Sequence, residues 1–422
     1  RVMYSLCRIT GRTVLTADIP DRSRITPSLR TSGRYGRSIE FKLSALCAKS
    51  WFALGLLLAA VSWSGEMHLM PLASLMPLLW SIAPNRPKAS LFAFGYHAGA
   101  SWSLVAGIVR VLDTGALSAI SLWLMGSAMP ASVYGLLHSH DRKSQPARFC
   151  LALIFCAFPP ILTGWANPIT IAGLWFPGFA WVGLLATLII LAALASRIDL
   201  PIKIMAIIAL TIFGSLSYRS PAAIKLAGYI THEDYSSGRL DGHEYERLQS
   251  AANQVAANRA DISVFPEGYA GLWGPASEIF WLDMMDQADP NALVVTGAFL
   301  PLSRGGYENV AAVIDRGRAH LIKQRVPVPL GMWKPWSAAS VPATFFRGST
   351  LDSSKGRIGL LNCYEIVVVW TVLDTMIDRP NVLLGIGNVW WGRGTNIGRI
   401  QSEILAAWGR LYNVPTAISL NE

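Results

Sequence analysis

The sequence predicts a polytopic α-helical membrane domain followed by an α/β sandwich domain. The 422 residues are 52% hydrophobic and only 15% charged, with a mean hydropathy of +0.38; a soluble protein is about a quarter charged. Between positions 51 and 218 the apolar residues are gathered into runs of the length that crosses hydrocarbon. Beyond 219, short apolar stretches alternate with amphipathic helical ones, the pattern of strands and helices packed in layers.

Residues 1–45 are polar, rich in Arg, Ser and Thr, and carry no helical apolar stripe. They are expected to form a disordered tail, or an upstream extension outside the fold. A transit peptide fits less well, because Asp18, Asp21 and Glu40 do not suit an acid-poor presequence.

From 46 to 218 the apolar runs fall at about 51–64, 69–83, 90–109, 116–138, 149–166, 171–195 and 201–217. They predict about seven helices, the first two short for a full crossing. Lys42 and Lys49 flank the first run, and Arg86 and Lys88 follow the second. Arg142, Lys143 and Arg148 follow the fourth, and Arg197 and Lys203 lie around the turn between the sixth and seventh. The opposite connections hold little positive charge beyond Arg110. By the positive-inside rule this predicts a bacterial inner-membrane protein with a cytoplasmic N-terminus and a periplasmic C-terminal domain. The net charge of +10 is then loop charge, and no nucleic-acid binding is expected. No charged residue lies deep in a span, so a proton-coupled transporter gains no support.

In residues 219–422 the spacing predicts a surface helix over 243–258 and a short strand over 261–265, ended by Pro266. Buried strands are expected at 291–300, 309–314, 357–361 and 382–389. A helix over 395–412 carries Ile397, Ile400, Ile404, Leu405, Trp408 and Leu411 at helical spacing.

Three local signals in this domain carry chemistry. Glu267 sits at the mouth of a strand in Val264-Phe265-Pro266-Glu267-Gly268, and Lys323 ends another in His320-Leu321-Ile322-Lys323. Cys363 occupies a strand-to-helix turn in Asn362-Cys363-Tyr364-Glu365. Singly, each has an ordinary explanation: a solvated loop acid, a surface lysine, a small buried thiol. Together they match one mechanism. The thiol attacks a carbonyl, the carboxylate takes its proton, the ammonium steadies the oxyanion, and a thioester passes its acyl group to an amine or water.

Other motifs are weaker. The five cysteines form neither a CxxC metal pattern nor a disulfide framework. None of the seven histidines forms HExxH, and the glycines near 385–394 lack the GxGxxG spacing. His320 as the base of a papain-like pair is a poorer reading than Glu267 with Lys323. No cofactor and no metal are therefore predicted.

These motifs resemble the Glu-Lys-Cys triad of the nitrilase, or carbon–nitrogen hydrolase, superfamily. The preceding helices make the chain similar to apolipoprotein N-acyltransferase. The segment Val326-Pro327-Val328-Pro329, followed by Met332-Trp333-Lys334-Pro335-Trp336, resembles more closely the TraB family of conjugal transfer proteins. The resemblance covers roughly 50–415 and implies a nitrilase-like αββα sandwich. It implies Glu267 as general base, Lys323 as oxyanion-stabilising lysine and Cys363 as nucleophile. Glu365 and Tyr364 would support the cysteine, and Asn388 and Trp390 would border the pocket in Asn388-Val389-Trp390-Trp391-Gly392. Tyr307 and Asn309 fall in a strand the superfamily uses nearby.

Two departures stand out. The acyltransferases carry a glutamate eight residues after the lysine, where this chain has Gly331. They also continue with further sandwich strands and a last membrane helix, whereas this chain stops at Glu422, so a shorter or truncated domain is expected. The implied function is Cys-dependent acyl-transfer or amide chemistry in conjugative plasmid transfer, on a membrane lipid or membrane-proximal protein, with conjugation machinery as partner. The alternatives are lipoprotein N-acylation from a phospholipid donor, and a non-catalytic scaffold of the transfer machinery.

Overall fold

A computed structural model describes residues 47–141, 143–159, 165–221, 224–233, 242–303, 306–329, 331–337 and 340–422. The expected N-terminal tail, with Cys7 and Lys42, and the loop residue Arg142 lie outside the described residues.

Each of the seven apolar runs is helical in its described part, but not each is one helix. The first is α1 (Ala48–Ser62); the second is a 3₁₀ turn, Met67–Ser74, leading into α2 (Leu75–Ile82). The third breaks at Ser101–Ser103 into α3 (Arg86–Ala100) and α4 (Leu104–Leu112). Next come α5 (Ala116–Leu137) and α6 (Gln145–Ala157). The sixth run is a short α7 (Ala172–Trp175) followed by α8 (Ala180–Leu194), and the seventh is α9 (Leu200–Ser217). Two of these, α5 and α9, are long and apolar enough to cross a membrane.

The C-terminal half is a four-layer sandwich. Its strands are β1 (Leu226–Gly228), β2 (Ile230–Thr231), β3 (Ile262–Val264), β4 (Leu293–Pro301), β5 (Tyr307–Asp315), β6 (Arg318–Lys323), β7 (Thr350–Ser353), β8 (Gly356–Asn362), β9 (Val382–Asn388) and β10 (Thr416–Asn421). Among the described residues they form two five-stranded sheets, ordered β1-β3-β4-β5-β6 and β2-β10-β9-β8-β7. Ile262, Val264, Val295, Val313, Leu360, Leu384 and Ile386 interlock between the sheets. Helices α10 (Glu244–Asn258) and α11 (Pro275–Ala288) cover the outer face of the first sheet through Leu248, Val255, Trp281 and Met285. Helices α12 (Val369–Ile377) and α13 (Ile397–Tyr412) cover the second through Val372, Ile404, Leu405 and Trp408. This is the expected αββα layering. Strand β10 follows α13 and lies inside its sheet, paired parallel to β9 over Thr416–Asn421, so the expected loss of sandwich strands after that helix is corrected to this extent.

The helical half and the sandwich share one continuous core. Trp408 and Leu411 of α13 pack in the same cluster as Trp175 of α7 and Leu191 of α8. The approach is close enough to require glycine: a Cβ on Gly173 would lie 1.7 Å from the carbonyl oxygen of Ala407. Alternate connections of the helical half touch the sandwich. Asn396 Nδ2 donates to Ser64 O at 3.1 Å, and Arg399 pairs with Glu66 at 2.8 Å. Arg110 Nη1 donates to the carbonyls of Trp391 and Arg393 at 2.9 and 2.8 Å. Phe158 meets Trp370 with ring centroids 5.0 Å apart, and Gly178 N donates to Arg410 O at 2.8 Å.

Gly173→Val should force α7 and α13 apart and cost about 1–3 kcal/mol. Thermal unfolding of the purified protein should show a lowered midpoint. Gly126→Val in α5, whose Cβ meets nothing within 4 Å, should leave it within a degree or two.

Candidate active site

Three strand ends from the two sheets converge on one buried carboxylate. The chain leaves β3 through Pro266 and crosses β4 at Gly297, where a Cβ would lie 2.3 Å from Glu267 Cα. Gly297 N donates to Pro266 O at 3.0 Å, and Ala270 N donates to Gly297 O at 2.9 Å, so the loop is stitched to the strand on both sides. The Glu267 side chain, 4% exposed, accepts hydrogen bonds from Asn309 Nδ2 on β5 and, at 3.0 Å, from the backbone N–H of Asn388 at the end of β9. It also accepts from the Cys363 thiol.

Cys363 is the first residue after β8 and begins the 3₁₀ turn Cys363–Val367. Its φ of +52° is left-handed, a conformation that costs a side-chain-bearing residue about 1–3 kcal/mol and is held only where its surroundings over-determine it. Here those surroundings are Glu365 and the strands. Glu365 Oε2 accepts from Asn362 N at 3.1 Å, and Oε1 accepts from Val326 N at 3.0 Å and from Arg325 N. Glu365 thus clamps the segment after β6 to the turn that carries the cysteine. Its charge is balanced by Arg325, fully buried, which also pairs with Asp374 at 2.8 Å and donates to Thr375 Oγ1 at 3.0 Å.

The electrostatics suit a thiol and a base rather than a resting thiolate. Burial pushes the Cys363 thiol well above its usual value, and the neighbouring Glu267 charge pushes it further. Backbone N–H groups of Asn388 and Tyr364 act the other way. Burial lifts Glu267 to about 7, against hydrogen bonds from Cys363, Asn388 and Asn309 that lower it. A base poised there can take a thiol proton near neutral pH.

The other expected site residues divide. Asn388 contributes its backbone N–H to Glu267, while its side chain accepts from Asn421 Nδ2 at 2.9 Å. Tyr364 packs between the shared core and Val326 and Val368, and burial raises its phenol. Trp390 lies in the turn Trp390–Gly392, but the ring that orders this segment is Trp391. Its Nε1 donates to Asn388 O at 3.0 Å, and its face lies against Gly107 of α4. Burial raises the Tyr307 phenol, and the nearby Glu267 charge raises it further.

Lys323 is not brought to Glu267 and Cys363, which corrects the expected triad. Directly opposed residues of an antiparallel pair share a face and alternate along the strand. Ile322 pairs with Ala311 in the inter-sheet core, whereas Lys323 pairs with Val310, which belongs to the outer core under α10 and α11. On that outer face Lys323 Nζ, 33% exposed, pairs with Glu308 Oε2 at 2.5 Å. The inward place beyond Ile322 belongs to Gln324, 4% exposed. Its backbone N donates to Asn309 O at 2.9 Å, and its Nε2 donates to Asn362 O at 3.2 Å. Leu321 and Ile322 are both apolar, so the sequence does not say which faces in. Among the described residues there is no group of three or more His, Cys, Asp or Glu that could hold a metal.

No model of a known protein family matches the chain. It is 31% identical over 388 residues to conjugal transfer protein TraB of Agrobacterium fabrum, covering 87% of this chain and 91% of that protein. It is 32% identical over 379 residues to a probable conjugal transfer protein TraB of Sinorhizobium fredii, covering 87% and 96%. Among solved structures it is similar to an amidase of the nitrilase superfamily from Nesterenkonia, at 14% identity and a TM-score of 0.36 over 48% of this chain and 78% of that one. A carbon–nitrogen hydrolase from Helicobacter pylori matches at 11% identity and a TM-score of 0.36, over 47% and 73%.

Glu267 makes stability depend on pH. Unfolded, the carboxyl ionises near its model value of 4.5; folded, at about 7. Its ionisation therefore costs the fold nothing below about pH 4.5, and the penalty grows between the two values. Above about pH 7 it stays on the order of 3 kcal/mol. Glu267→Gln should unfold at a higher temperature than the wild type at pH 8 and at the same temperature at pH 4. Gly297→Ala should displace the Glu267 loop and lower the melting temperature at both.

Proposed function

Since the chain belongs to the TraB family of conjugal transfer proteins, we propose that it is a membrane-embedded enzyme acting in conjugative plasmid transfer through a Cys363–Glu267 acyl-transfer site. The observation that carries this reading is the buried hydrogen bond between the Glu267 carboxylate and a thiol held on a left-handed turn. A structural cysteine needs neither a buried acid beside it nor a strained backbone. The αββα layering and the order Glu267 then Cys363 also fit the carbon–nitrogen hydrolase superfamily.

The chemistry is balanced by one shuttled proton. Cys363 Sγ attacks a carbonyl carbon as its proton passes to Glu267. The tetrahedral intermediate collapses, the carbon–nitrogen or carbon–oxygen bond breaks, and Glu267 returns the proton to the leaving amine or alcohol. An amine, or water, then gives a proton to Glu267 and attacks the thioester, and the thiol is restored. Cys363 stands on a left-handed turn directly after β8, and Asn388 N and Asn309 hold the carboxylate that accepts from its thiol.

Seven crossings of a bilayer fit the arrangement of the helices. Only 22% of the apolar window of α5 and 17% of that of α9 is buried, whereas a core helix of a soluble protein would be covered. Leu117, Met125, Met205, Ile212 and Leu216 face outward. The sandwich touches the helical half at Ser64 and Glu66, Arg110, Phe158 and Gly178. The intervening connections, with the first turns of the helices that follow them, carry Arg86, Lys88, Lys143, Arg148, Arg197 and Lys203. Counted helix by helix, the two sets lie at opposite ends, which supports a cytoplasmic N-terminus and a periplasmic sandwich at a bacterial inner membrane. A substrate at the lipid surface, either a lipid or a membrane-proximal protein, is the class this placement favours.

In donor cells whose plasmid depends on this gene, Cys363→Ala should lower transfer frequency at least tenfold while the protein accumulates normally. Transfer at the wild-type frequency would leave the scaffold reading standing. The same gene should fail to restore lipoprotein N-acylation to cells lacking their own acyltransferase; restoration would move the assignment to that enzyme.

A further inference from the structure

The nucleophile and base proposed above leave the oxyanion without the side-chain donor expected of Lys323, which lies on the far face of β6. What stands on the near face is a set of carboxamides. Gln324 follows Ile322 into the space between the sheets and is bonded to both neighbours of the reacting pair. Its backbone holds Asn309, which donates to Glu267, and its Nε2 holds the carbonyl of Asn362, which precedes Cys363. Asn362 is fully buried. Four polar atoms of this group have no partner: Gln324 Oε1, Asn362 Nδ2 and Oδ1, and Asn309 Oδ1. A buried, unpartnered polar atom is costly, and four on residues bonded to the neighbours of the reacting pair are an unmet demand for a polar ligand.

Resting on the Cys363–Glu267 reading, we propose that Gln324 and Asn362 form a neutral oxyanion pocket, their carboxamide N–H groups replacing the ammonium expected of Lys323. Gln324 Nε2 has one hydrogen on Asn362 O and a second to give, and Asn362 Nδ2 has both. The acceptor oxygens Gln324 Oε1 and Asn309 Oδ1 suit the N–H of an amide or amine. The pocket therefore takes an uncharged carbonyl group, an ester or an amide. Without an ammonium beside it the sulfur rests as a thiol, and proton transfer to Glu267 accompanies attack. Lys323 and Glu308 form a pair on the outer face of the sheet and take no part.

The test separates attack at a carbonyl from attack that develops no oxyanion. Purified full-length protein in detergent would be treated with a p-nitrophenyl ester, and thioester formation on Cys363 followed by intact mass. Iodoacetamide alkylation, which needs the thiol and base but no oxyanion donor, would run in parallel. Gln324→Met and Gln324→Glu should each slow thioester formation by about 100-fold, the usual effect of losing one donor, with alkylation near the wild-type rate. Lys323→Met should change neither. Slow acylation in Lys323→Met with normal acylation in the Gln324 variants would overturn the proposal. So would parallel loss of both reactions in the Gln324 variants, since that marks a collapsed site. If the wild type gives no Cys363 adduct with either reagent, the nucleophile reading falls, and the pocket with it.

Discussion

One buried carboxylate joins the two sheets of this protein. Glu267 sits where the inter-sheet core gives way to polar groups. It takes a hydrogen bond from Asn309 of the first sheet, one from the backbone of Asn388 in the second, and one from Cys363. A lone carboxylate in that space is costly, and its ionisation is lifted to about 7 in consequence. The cost is what makes the group a usable base: were it solvated it would ionise near 4.5 and hold a proton too weakly to return it. The geometry around it follows. Gly297 is required because the loop carrying the carboxylate must cross β4 without a side chain between, and Cys363, whose thiol bonds that carboxylate, is held on a left-handed turn.

The site is braced from both ends. On one side, Glu365 and the buried Arg325 tie the segment after β6 to the cysteine turn and to α12 through Asp374. Removing one member of such a network strands a buried charge, so these residues are positioning groups held by large penalties. On the other side, Arg110 and Gly107 of α4 seat the Trp391 segment, whose indole holds the carbonyl of Asn388. Residues on helices of the N-terminal half thus set where Asn388 N points, and with it Glu267. Cutting the sandwich from its helices would remove one wall of the site, and the continuous core through Trp175, Leu191 and Trp408 says the same in apolar terms.

Much of this was legible in the sequence, for identifiable reasons. Runs such as 261–265, 291–300 and 382–389 are apolar on both faces because both faces are covered, and they hold β3, β4 and β9. The helix over 395–412 declared itself by the spacing of Ile400, Ile404, Trp408 and Leu411. Glu267 and Cys363 were visible because a carboxylate and a thiol each stand at a strand mouth. The short strands β1, β2 and β7 were not, being two to four residues long and defined by their partners. Helix α11 was missed because its acids, Glu278, Asp283 and Asp286, blur its apolar face. Lys323 was misassigned because facing is set by register: Leu321 and Ile322 are both apolar, and only pairing with β5 decides that the even-numbered residues turn inward. The same register placed Gln324 where no sequence motif had marked it.

The central claim is that Cys363 carries an acyl group during turnover. The most direct measurement is the intact mass of the full-length protein purified from plasmid-bearing donor cells, before and after hydroxylamine. The account predicts an added acyl mass that maps to Cys363, disappears with hydroxylamine, is absent from Cys363→Ala, and is strongly reduced in Glu267→Gln. An unmodified Cys363 in actively conjugating cells, together with full transfer by Cys363→Ala, would contradict it.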